Sequence, residues 1–229
     1  MKFPTLELNK YFNSFNTLKG IFSVFGDFGV GKTTFALQTA INSAKYKKFI
    51  IYIYTKPKFP SEKVVIINKD SNDNLDNILF IQTTSFYELN TLIFNLEFLI
   101  LNYLKNNKPK LELIILDSIT NLYRIELNKE KKEKNYNLNY QLNQMLANLT
   151  YLNQNYDIEI LVINEISKKK LDDQIIETQS GGNVMKFWIN FNLKIKKTNK
   201  LNERKFYFTN IPENYTFEFI SSLTEKGFV

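Results

Sequence analysis

The segment "GDFGVGKT", residues 26–33, is a glycine-rich loop that ends in lysine and threonine and fits the pattern G-x-x-x-x-G-K-[ST]. An apolar run precedes it and a helical pattern follows it, which is the context that a phosphate-cradling loop requires. Three of the chain's 7 glycines fall in this loop. Because glycine lets the backbone approach an anion closely, the pattern predicts a strand, a phosphate-binding loop and a helix in that order.

The loop also predicts how a bound nucleotide would be held. Backbone N–H groups of the loop and of the helix N-terminus would cradle phosphate oxygens, Lys32 would reach the β- and γ-phosphates, and Thr33 would offer its hydroxyl to Mg²⁺. The expected cofactors are therefore ATP and Mg²⁺. The residues expected to contact the nucleotide are Gly26, Asp27, Phe28, Gly29, Val30, Gly31, Lys32, Thr33 and Thr34.

A second motif, "LIILDS" at residues 113–118, is an apolar strand that ends in an acid. An aspartate in this place is commonplace by itself and is usually a helix cap. In a chain that also carries the glycine loop, it is the expected second carboxylate motif of nucleotide-binding proteins. Asp117 is therefore predicted to join Thr33 in the shell of Mg²⁺.

Apolar runs of strand length alternate with helical patterns, which favours an α/β fold with a mainly parallel central sheet. The expected strands are residues 21–25, 49–55, 79–83, 111–117 and 158–164, and the expected helices include residues 32–45 and a segment that ends near residue 155. The last third, with runs at 191–195, 205–209 and 215–220, indicates an antiparallel extension. Residues 64–68 fit either a strand or a crossover helix.

Composition narrows the class of protein. A chain of 229 residues without a Ser-, Gly- or Pro-rich linker indicates a single domain over residues 1–229. The absence of cysteine and histidine excludes disulfides, thiolate or imidazole metal ligands and histidine acid–base chemistry. The N-terminus lacks the apolar core of a signal peptide. Polar residues interrupt the apolar segment 89–104, which is also too short for a transmembrane helix. We therefore expect a cytoplasmic protein without a membrane segment, in which residues 89–104 form a largely buried helix.

The chain is basic, with a net charge of +7 and a pI of about 9.2. Such a charge suits a polyanionic partner such as nucleic acid, although codon bias in an AT-rich genome would also raise the lysine content. Residues 129–134 are lysine-rich, but Glu130 and Glu133 interrupt them, and this alternation favours a solvated face over a phosphate-binding stripe.

Five segments carry a family resemblance that covers nearly the whole chain. "FGDFGVGKTTFALQTA" resembles the phosphate loop and helix of the RecA/RadA recombinase superfamily, "LDSITNLYR" its second nucleotide motif, and "ILVINEI" a strand that normally ends in Asn-Gln. "SGGNVMKFW" is similar to the segment that closes the family's second DNA loop, and "RKFYFTNIPENYTFEFISSLTEKGFV" to its C-terminal hairpin. The resemblance implies a RecA-like P-loop ATPase core with helices on both faces of the sheet. It is strongest to short archaeal members, and the 25 residues before Gly26 leave no room for an N-terminal helix-hairpin-helix domain.

Two positions depart from the family pattern. "YIYTKPKFPSEK" falls where the family reads Asp-Thr-Glu-Gly, which puts Lys56 in place of the catalytic glutamate, and Glu165 stands where the family has a γ-phosphate-sensing glutamine. Because Lys56 and Glu165 carry opposite charges, we expect an ion pair between them at the mouth of the site. Loss of a positioned base costs about 10²–10⁴ in rate, so we expect ATP binding with weak or absent hydrolysis. Glu165 as a substitute catalytic base is the alternative.

The resemblance also implies where DNA would bind. The expected contacts are Arg124 in the first DNA loop, Lys168, Lys169 and Lys170 before the second, and Arg204 with Lys205 at the start of the final hairpin. Such contacts would be to the backbone of single-stranded or branched DNA, and they would be salt-sensitive. The other expected partner is a RadA-type recombinase or another recombination protein. The sequence leaves open whether the chain forms a homo-oligomer.

Three functions are compatible with these features. We expect an ATP-binding accessory protein of DNA repair and homologous recombination. A KaiC-like or other RecA-superfamily ATPase, whose turnover drives signalling or remodelling, is the alternative. A small-molecule kinase would need a lid rich in arginine, and Arg124 and Arg204 are the only two arginines in the chain.

Overall fold

The computed structural model describes residues 1–13, 19–46, 48–69, 75–105, 110–128, 130–171, 174–209 and 217–229. Within these ranges the helices are α1 (Leu6–Asn13), α2 (Lys32–Ala44), α3 (Ser61–Asn68), α4 (Phe86–Lys105), α5 (Asn121–Glu126), α6 (Lys132–Tyr156) and α7 (Gly182–Trp188), with a 3₁₀ turn at Leu75–Asn77. The strands are β1 (Ile21–Gly26), β2 (Phe49–Tyr54), β3 (Ile78–Gln82), β4 (Leu111–Asp117), β5 (Glu159–Leu171), β6 (Gln174–Gln179), β7 (Ile189–Lys197), β8 (Glu203–Phe208), β9 (Glu218–Thr224) and β10 (Gly227–Phe228).

The strands form a sheet in the order β10-β9-β8-β7-β1-β5-β4-β2-β3, and β6 pairs with the far end of β5. Every neighbouring pair from β7 to β3 is parallel. The pairs β7–β8, β8–β9 and β9–β10 are antiparallel. The expected α/β fold with a mainly parallel sheet and a C-terminal antiparallel extension is therefore confirmed.

Helices cover both faces of the sheet because the buried strands alternate in the direction of their side chains. On one face, Leu116 of β4 belongs to a buried cluster with Leu142 of α6 and residues of α4. On the other face, Ile115 of the same strand packs in a second cluster with Leu37 of α2 and residues of α1. The two clusters hold the sheet rigidly between the helical layers, so the carboxyl ends of the parallel strands keep fixed relative positions.

Residues 64–68, which the sequence left ambiguous, belong to helix α3. Their β-branched run has strand propensity, but β2 and β3 pair in parallel, and parallel neighbours require a crossover connection. The helix begins directly after Pro60 and buries Val64, whereas Val65 and Ile66 are exposed. Sheet topology therefore overrides the local preference.

Helix α4 corrects the expectation of a largely buried helix at residues 89–104. Only one stripe of α4 is buried, with Leu89, Ile93 and Leu96 in the core, while Phe94 and Phe98 on another face are exposed. The helix lies on the outside of the sheet, where a single face can reach the core. In the part of the chain that the structure describes, no helix is both long and apolar enough to span a membrane.

The C-terminal strands brace the helix that follows the glycine loop. The side chain of Gln38 in α2 accepts a hydrogen bond from the Phe228 N–H at 2.8 Å and donates one to the Phe228 carbonyl at 3.2 Å. Phe35 of α2 packs edge-on against Phe228, and Phe206 stacks on Phe219 beneath it with ring centroids 4.7 Å apart. The position of α2 therefore depends on residues near the end of the chain.

Candidate nucleotide-binding site

The glycine loop joins the carboxyl end of β1 to the N-terminus of α2, at the edge of the sheet where ligands of open α/β folds bind. Gly31 has φ +102°, a left-handed conformation, and an added Cβ would lie 2.7 Å from the ring of Phe228. A Cβ on Gly26 would lie 2.3 Å from the Ile195 carbonyl oxygen. These two glycines are therefore required by the packing of the loop as well as by the approach of a ligand.

The first turn of α2 offers backbone donors to an anion. Gly31, the N-cap residue, has no side chain that could cap the helix, so the first-turn amides are not satisfied in that way. Val30 and Thr34 are buried and fix the loop against the core, whereas Phe28 at its tip is exposed. The arrangement is a helix N-terminus of the kind that binds phosphate.

Lys32 lies inside this loop. Its ammonium donates to the carbonyls of Gly26 at 2.7 Å and Asp27 at 2.9 Å, and it lies 3.1 Å from Glu165 Oε2. Burial lowers the pKa of Lys32 from its ordinary value, while the Glu165 carboxylate acts in the opposite direction. Glu165 reaches this position because its residue on β5 is paired in register with Gly26 on β1.

Asp117 is fully buried at the end of β4, two strands away from the loop. Its Oδ2 accepts a hydrogen bond from the Tyr52 hydroxyl at 3.0 Å, and its Oδ1 accepts none from the residues that the structure describes. Burial, and after it the charge of Asp117, raises the pKa of Tyr52 well above its usual range. Tyr52 is a site residue that sequence reasoning missed, because a tyrosine inside an apolar strand gives no sign of its partner.

Lys56 follows β2 and lies next to Asp117. Its ammonium is 3.7 Å from Asp117 Oδ1 and 3.5 Å from Thr33 Oγ1. The expected ion pair between Lys56 and Glu165 is wrong for this structure, since Glu165 pairs with Lys32 and Lys56 pairs with Asp117. The reason is the strand order: β5 borders β1 and the loop, whereas β2 borders β4, so each cation meets the acid of its neighbouring strand.

Thr33 and Asp117 are the expected ligands of Mg²⁺. Asp117 Oδ1 is a buried acceptor without a hydrogen-bond donor, and both it and Thr33 Oγ1 are oxygens of the kind that Mg²⁺ prefers, but the Lys56 ammonium lies 3.7 and 3.5 Å from them. In the described ranges there is no group of three or more acidic side chains that could hold a cation unaided. A magnesium ion here would therefore depend on the phosphates of a nucleotide to complete its shell.

The predicted DNA contacts lie in different environments. Lys168, Lys169 and Lys170 lie in strand β5, where they pair in antiparallel register with β6, so the expected loop is instead a β-hairpin. Lys168 is exposed and lies 3.4 Å from Glu177 and 3.7 Å from Asp27 of the glycine loop. The hairpin strand β6 is a second feature that sequence reasoning missed, because its pattern was read as the loop before Gly-Gly.

The two arginines differ in availability. Arg204 is only 8% exposed, and its guanidinium donates to the Leu201 and Glu203 carbonyls. The prediction that Arg204 contacts DNA is therefore wrong for this structure, because the side chain is buried. Lys205 is half-exposed and ion-paired to Glu218 at 2.7 Å. Arg124 is exposed and lines a cleft of about 390 Å³ between α5, the β5–β6 hairpin and the Gly-Gly segment that begins α7. Arg124 and the hairpin therefore border the same cleft.

A buried polar network connects the hairpin to the centre of the sheet. Asn164 of β5 accepts a hydrogen bond from the Thr120 hydroxyl. Its side-chain amide donates to Gln179 Oε1 and to the Ser180 carbonyl, and both of these donated bonds measure 3.0 Å. Gln179 in turn accepts from the Ser23 hydroxyl of β1 at 2.7 Å. Because each of these groups has a partner, the base of the hairpin is held firmly beside β1.

The strand order, with a glycine loop at the end of a central parallel strand and an antiparallel C-terminal extension, defines a RecA-like α/β core. The chain belongs to the Rad51 family, whose model matches residues 7–229. It is similar to several proteins named DNA repair and recombination protein RadB, and it is accordingly a RadB-like member of the RecA superfamily.

Three of these relatives come from methanogenic archaea. The protein of Methanobrevibacter smithii is 26% identical over 183 residues, which cover 79% of this chain and 74% of the relative. That of Methanosphaera stadtmanae is 29% identical over 175 residues, or 76% and 71% of the two chains. That of Methanocaldococcus jannaschii is 28% identical over 186 residues, or 80% and 82%. The similarity therefore extends over most of each chain.

Proposed function

We propose that the protein is an ATP-binding accessory factor of DNA repair and homologous recombination that binds DNA, a RadA-type recombinase or both, with weak or absent ATP hydrolysis. The relatives' printed name, DNA repair and recombination protein RadB, supports the pathway. The observation that carries the biochemical part is the glycine loop with Lys32 at its centre, beside a strand end that presents Lys56 where a catalytic carboxylate is expected.

The geometry supports binding over turnover. A nucleotide in the loop would meet the first-turn amides of α2 and the ammonium groups of Lys32 and Lys56, which all favour a polyanion. Thr33 and Asp117 are the residues that would hold Mg²⁺, which would neutralise phosphate charge, and the Lys56 ammonium beside them carries charge of the same sign. Of the carboxylates at the site, Glu165 is engaged by Lys32 and Asp117 by Tyr52 and Lys56, so neither is free to position and deprotonate water.

The DNA contacts that we propose are Arg124, Lys168, Lys169, Lys170 and Lys205. Arg124 and the β5–β6 hairpin border the same cleft, and the hairpin contacts the glycine loop through Lys168 and Asp27. This ion pair offers a direct physical link, because phosphate in the loop and phosphate on the hairpin would both attract the ammonium of Lys168.

Nucleotide binding is tested by titration calorimetry of the full chain with ATP, alongside a Lys32→Met variant. We expect saturable binding that the variant weakens by at least about tenfold, because Lys32 is the cation inside the loop. Lys45→Met, an exposed lysine at the end of α2, is the matched control and should bind like the wild type. Absence of uptake at millimolar ATP would refute the proposal.

DNA binding is tested by the salt dependence of affinity for a single-stranded oligonucleotide. Replacing Lys168, Lys169 and Lys170 together by alanine should reduce the slope of log affinity against log salt by about 2, since each phosphate contact to single strands contributes roughly 0.7. The control is a triple alanine variant of other exposed lysines, namely Lys10, Lys45 and Lys110. Equal slopes for the two triple variants would remove the hairpin from the DNA site.

Turnover separates this proposal from an ATPase motor. We expect hydrolysis to stay slow with and without DNA, measured by phosphate release on the same protein sample. Turnover of several ATP per second that Glu165→Gln abolishes would instead make Glu165 the catalytic base and favour a KaiC-like function.

A further inference from the structure

The Lys56 ammonium lies close to both oxygens that are expected to hold Mg²⁺. It lies 3.5 Å from Thr33 Oγ1 and 3.7 Å from Asp117 Oδ1. Asp117 is fully buried, and this oxygen accepts no hydrogen bond from the described residues, so its contact with Lys56 is electrostatic. The protein thus already places a cation of its own, the Lys56 ammonium, beside both expected metal ligands.

The segment that carries Lys56 is held in place by its backbone. The Thr55 N–H donates to the Asp117 carbonyl at 2.9 Å, and the Thr55 hydroxyl exchanges hydrogen bonds with the backbone of Ser118. On the other side, the Gln82 amide donates to the carbonyls of Lys56 and Pro57 at 2.9 and 3.0 Å. The main chain at Lys56 is therefore fixed beside Asp117, while the Lys56 side chain is 29% exposed to an incoming ligand.

The charge balance reduces the need for an added cation. Lys56 makes the site two charge units more positive than a glutamate would, and Glu165 in place of glutamine returns one unit. As it stands, Lys32 and Lys56 balance Asp117 and Glu165. A Mg²⁺ ion bound about 2.1 Å from Thr33 Oγ1 and Asp117 Oδ1 would lie no more than about 6 Å from the Lys56 ammonium, a distance at which two cations repel each other.

We propose that Lys56 acts as a tethered counter-ion that substitutes for Mg²⁺, so that the site binds a nucleoside triphosphate with little dependence on divalent metal. This inference rests on the proposed function and deepens it, since it concerns the same loop. The ammonium would supply beside the phosphates the positive charge that the metal would otherwise supply, and Asp117 Oδ1 holds the ammonium electrostatically.

The test measures the dissociation constant of ATP by calorimetry in two buffers, one with excess Mg²⁺ and one with EDTA. For the wild type, the two values should agree within about threefold, which corresponds to about 0.7 kcal/mol. For Lys56→Glu, EDTA should weaken binding by at least about tenfold and Mg²⁺ should restore it. Lys58→Glu makes the same charge change two residues away, on an exposed side chain, and should behave like the wild type.

Different results would contradict the counter-ion role of Lys56 and the proposed ATP binding. Lys56→Met keeps an unbranched side chain one atom shorter and removes the charge. It provides a second variant if circular dichroism shows that Lys56→Glu does not fold, and it should also gain dependence on Mg²⁺. Wild-type binding that weakens by tenfold or more in EDTA would overturn the counter-ion role alone. Failure of the wild type to bind ATP in either buffer would overturn the proposed function and this inference with it.

Discussion

The hydrogen bond from Tyr52 to Asp117 leads to a stability prediction with a defined magnitude. Both residues are fully buried, and the hydroxyl lies 3.0 Å from Oδ2 of the carboxylate. Tyr52→Phe would keep the ring, including its contact with Phe80, and remove only the donor. Because hydrogen bonds to charged groups contribute about 1.5–3 kcal/mol and both partners are fully buried, we expect the free energy of unfolding to fall by about 2 kcal/mol.

The measurement is urea unfolding followed by the fluorescence of Trp188, the only tryptophan, and by circular dichroism. Tyr54→Phe is the matched control, because the Tyr54 hydroxyl donates at the same distance of 3.0 Å to a neutral acceptor, the Lys58 carbonyl. A neutral hydrogen bond contributes about 0.5–1.5 kcal/mol, so the control should lose less. A loss below about 0.5 kcal/mol for Tyr52→Phe, or a loss equal to the control, would show that the buried carboxylate does not depend on this donor.

Three further predictions concern packing and charge. Gly31→Ala should lower the free energy of unfolding by about 1–3 kcal/mol in urea, and by more than Gly182→Ala, because Gly31 has φ +102° and an added Cβ would lie 2.7 Å from a ring, whereas at Gly182 no atom lies within 4 Å. Glu177→Gln should lower the free energy of unfolding by about 1–3 kcal/mol at pH 7. The reason is that Lys194, which is only 8% exposed, would lose the carboxylate that lies 2.9 Å from its ammonium. The hydrogen bond from Lys194 lowers the pKa of Glu177 from 4.5, so this stabilisation is present above pH 4.5, and the difference between wild type and variant should disappear as the pH falls further. Leu142→Ala should lower the free energy of unfolding by about 2–5 kcal/mol, measured in the same way, because the Leu142 side chain on α6 is completely buried in the hydrophobic core.

Much of the fold could be predicted because its signals are local. The strand before the glycine loop, the helix after it and the apolar strand that ends at Asp117 are each specified by a few adjacent residues, and the structure contains all three. The ambiguous segment at residues 64–68 shows the limit. Its side chains favour a strand, and only the parallel pairing of β2 with β3 makes it a helix.

The sequence predicted which residues form the candidate site but not which of them contact each other. Sequence reasoning placed Lys56 and Glu165 at one site with opposite charges, yet it paired them with each other. It also treated Arg204 as exposed, although strand β8 buries it among carbonyls. Neither error could be avoided from the chain alone, since burial and partners depend on which strands become neighbours.

The amino-acid sequence by itself determined that the chain carries a phosphate-type loop, an α/β alternation and a lysine where a carboxylate is expected, because these are properties of neighbouring residues. Only the tertiary structure decided that Lys56 meets Asp117 and Thr33 while Glu165 meets Lys32. The physical reason is that the order of strands in the sheet sets which side chains come within a few ångströms, and at that range the Coulomb energy depends steeply on distance and burial.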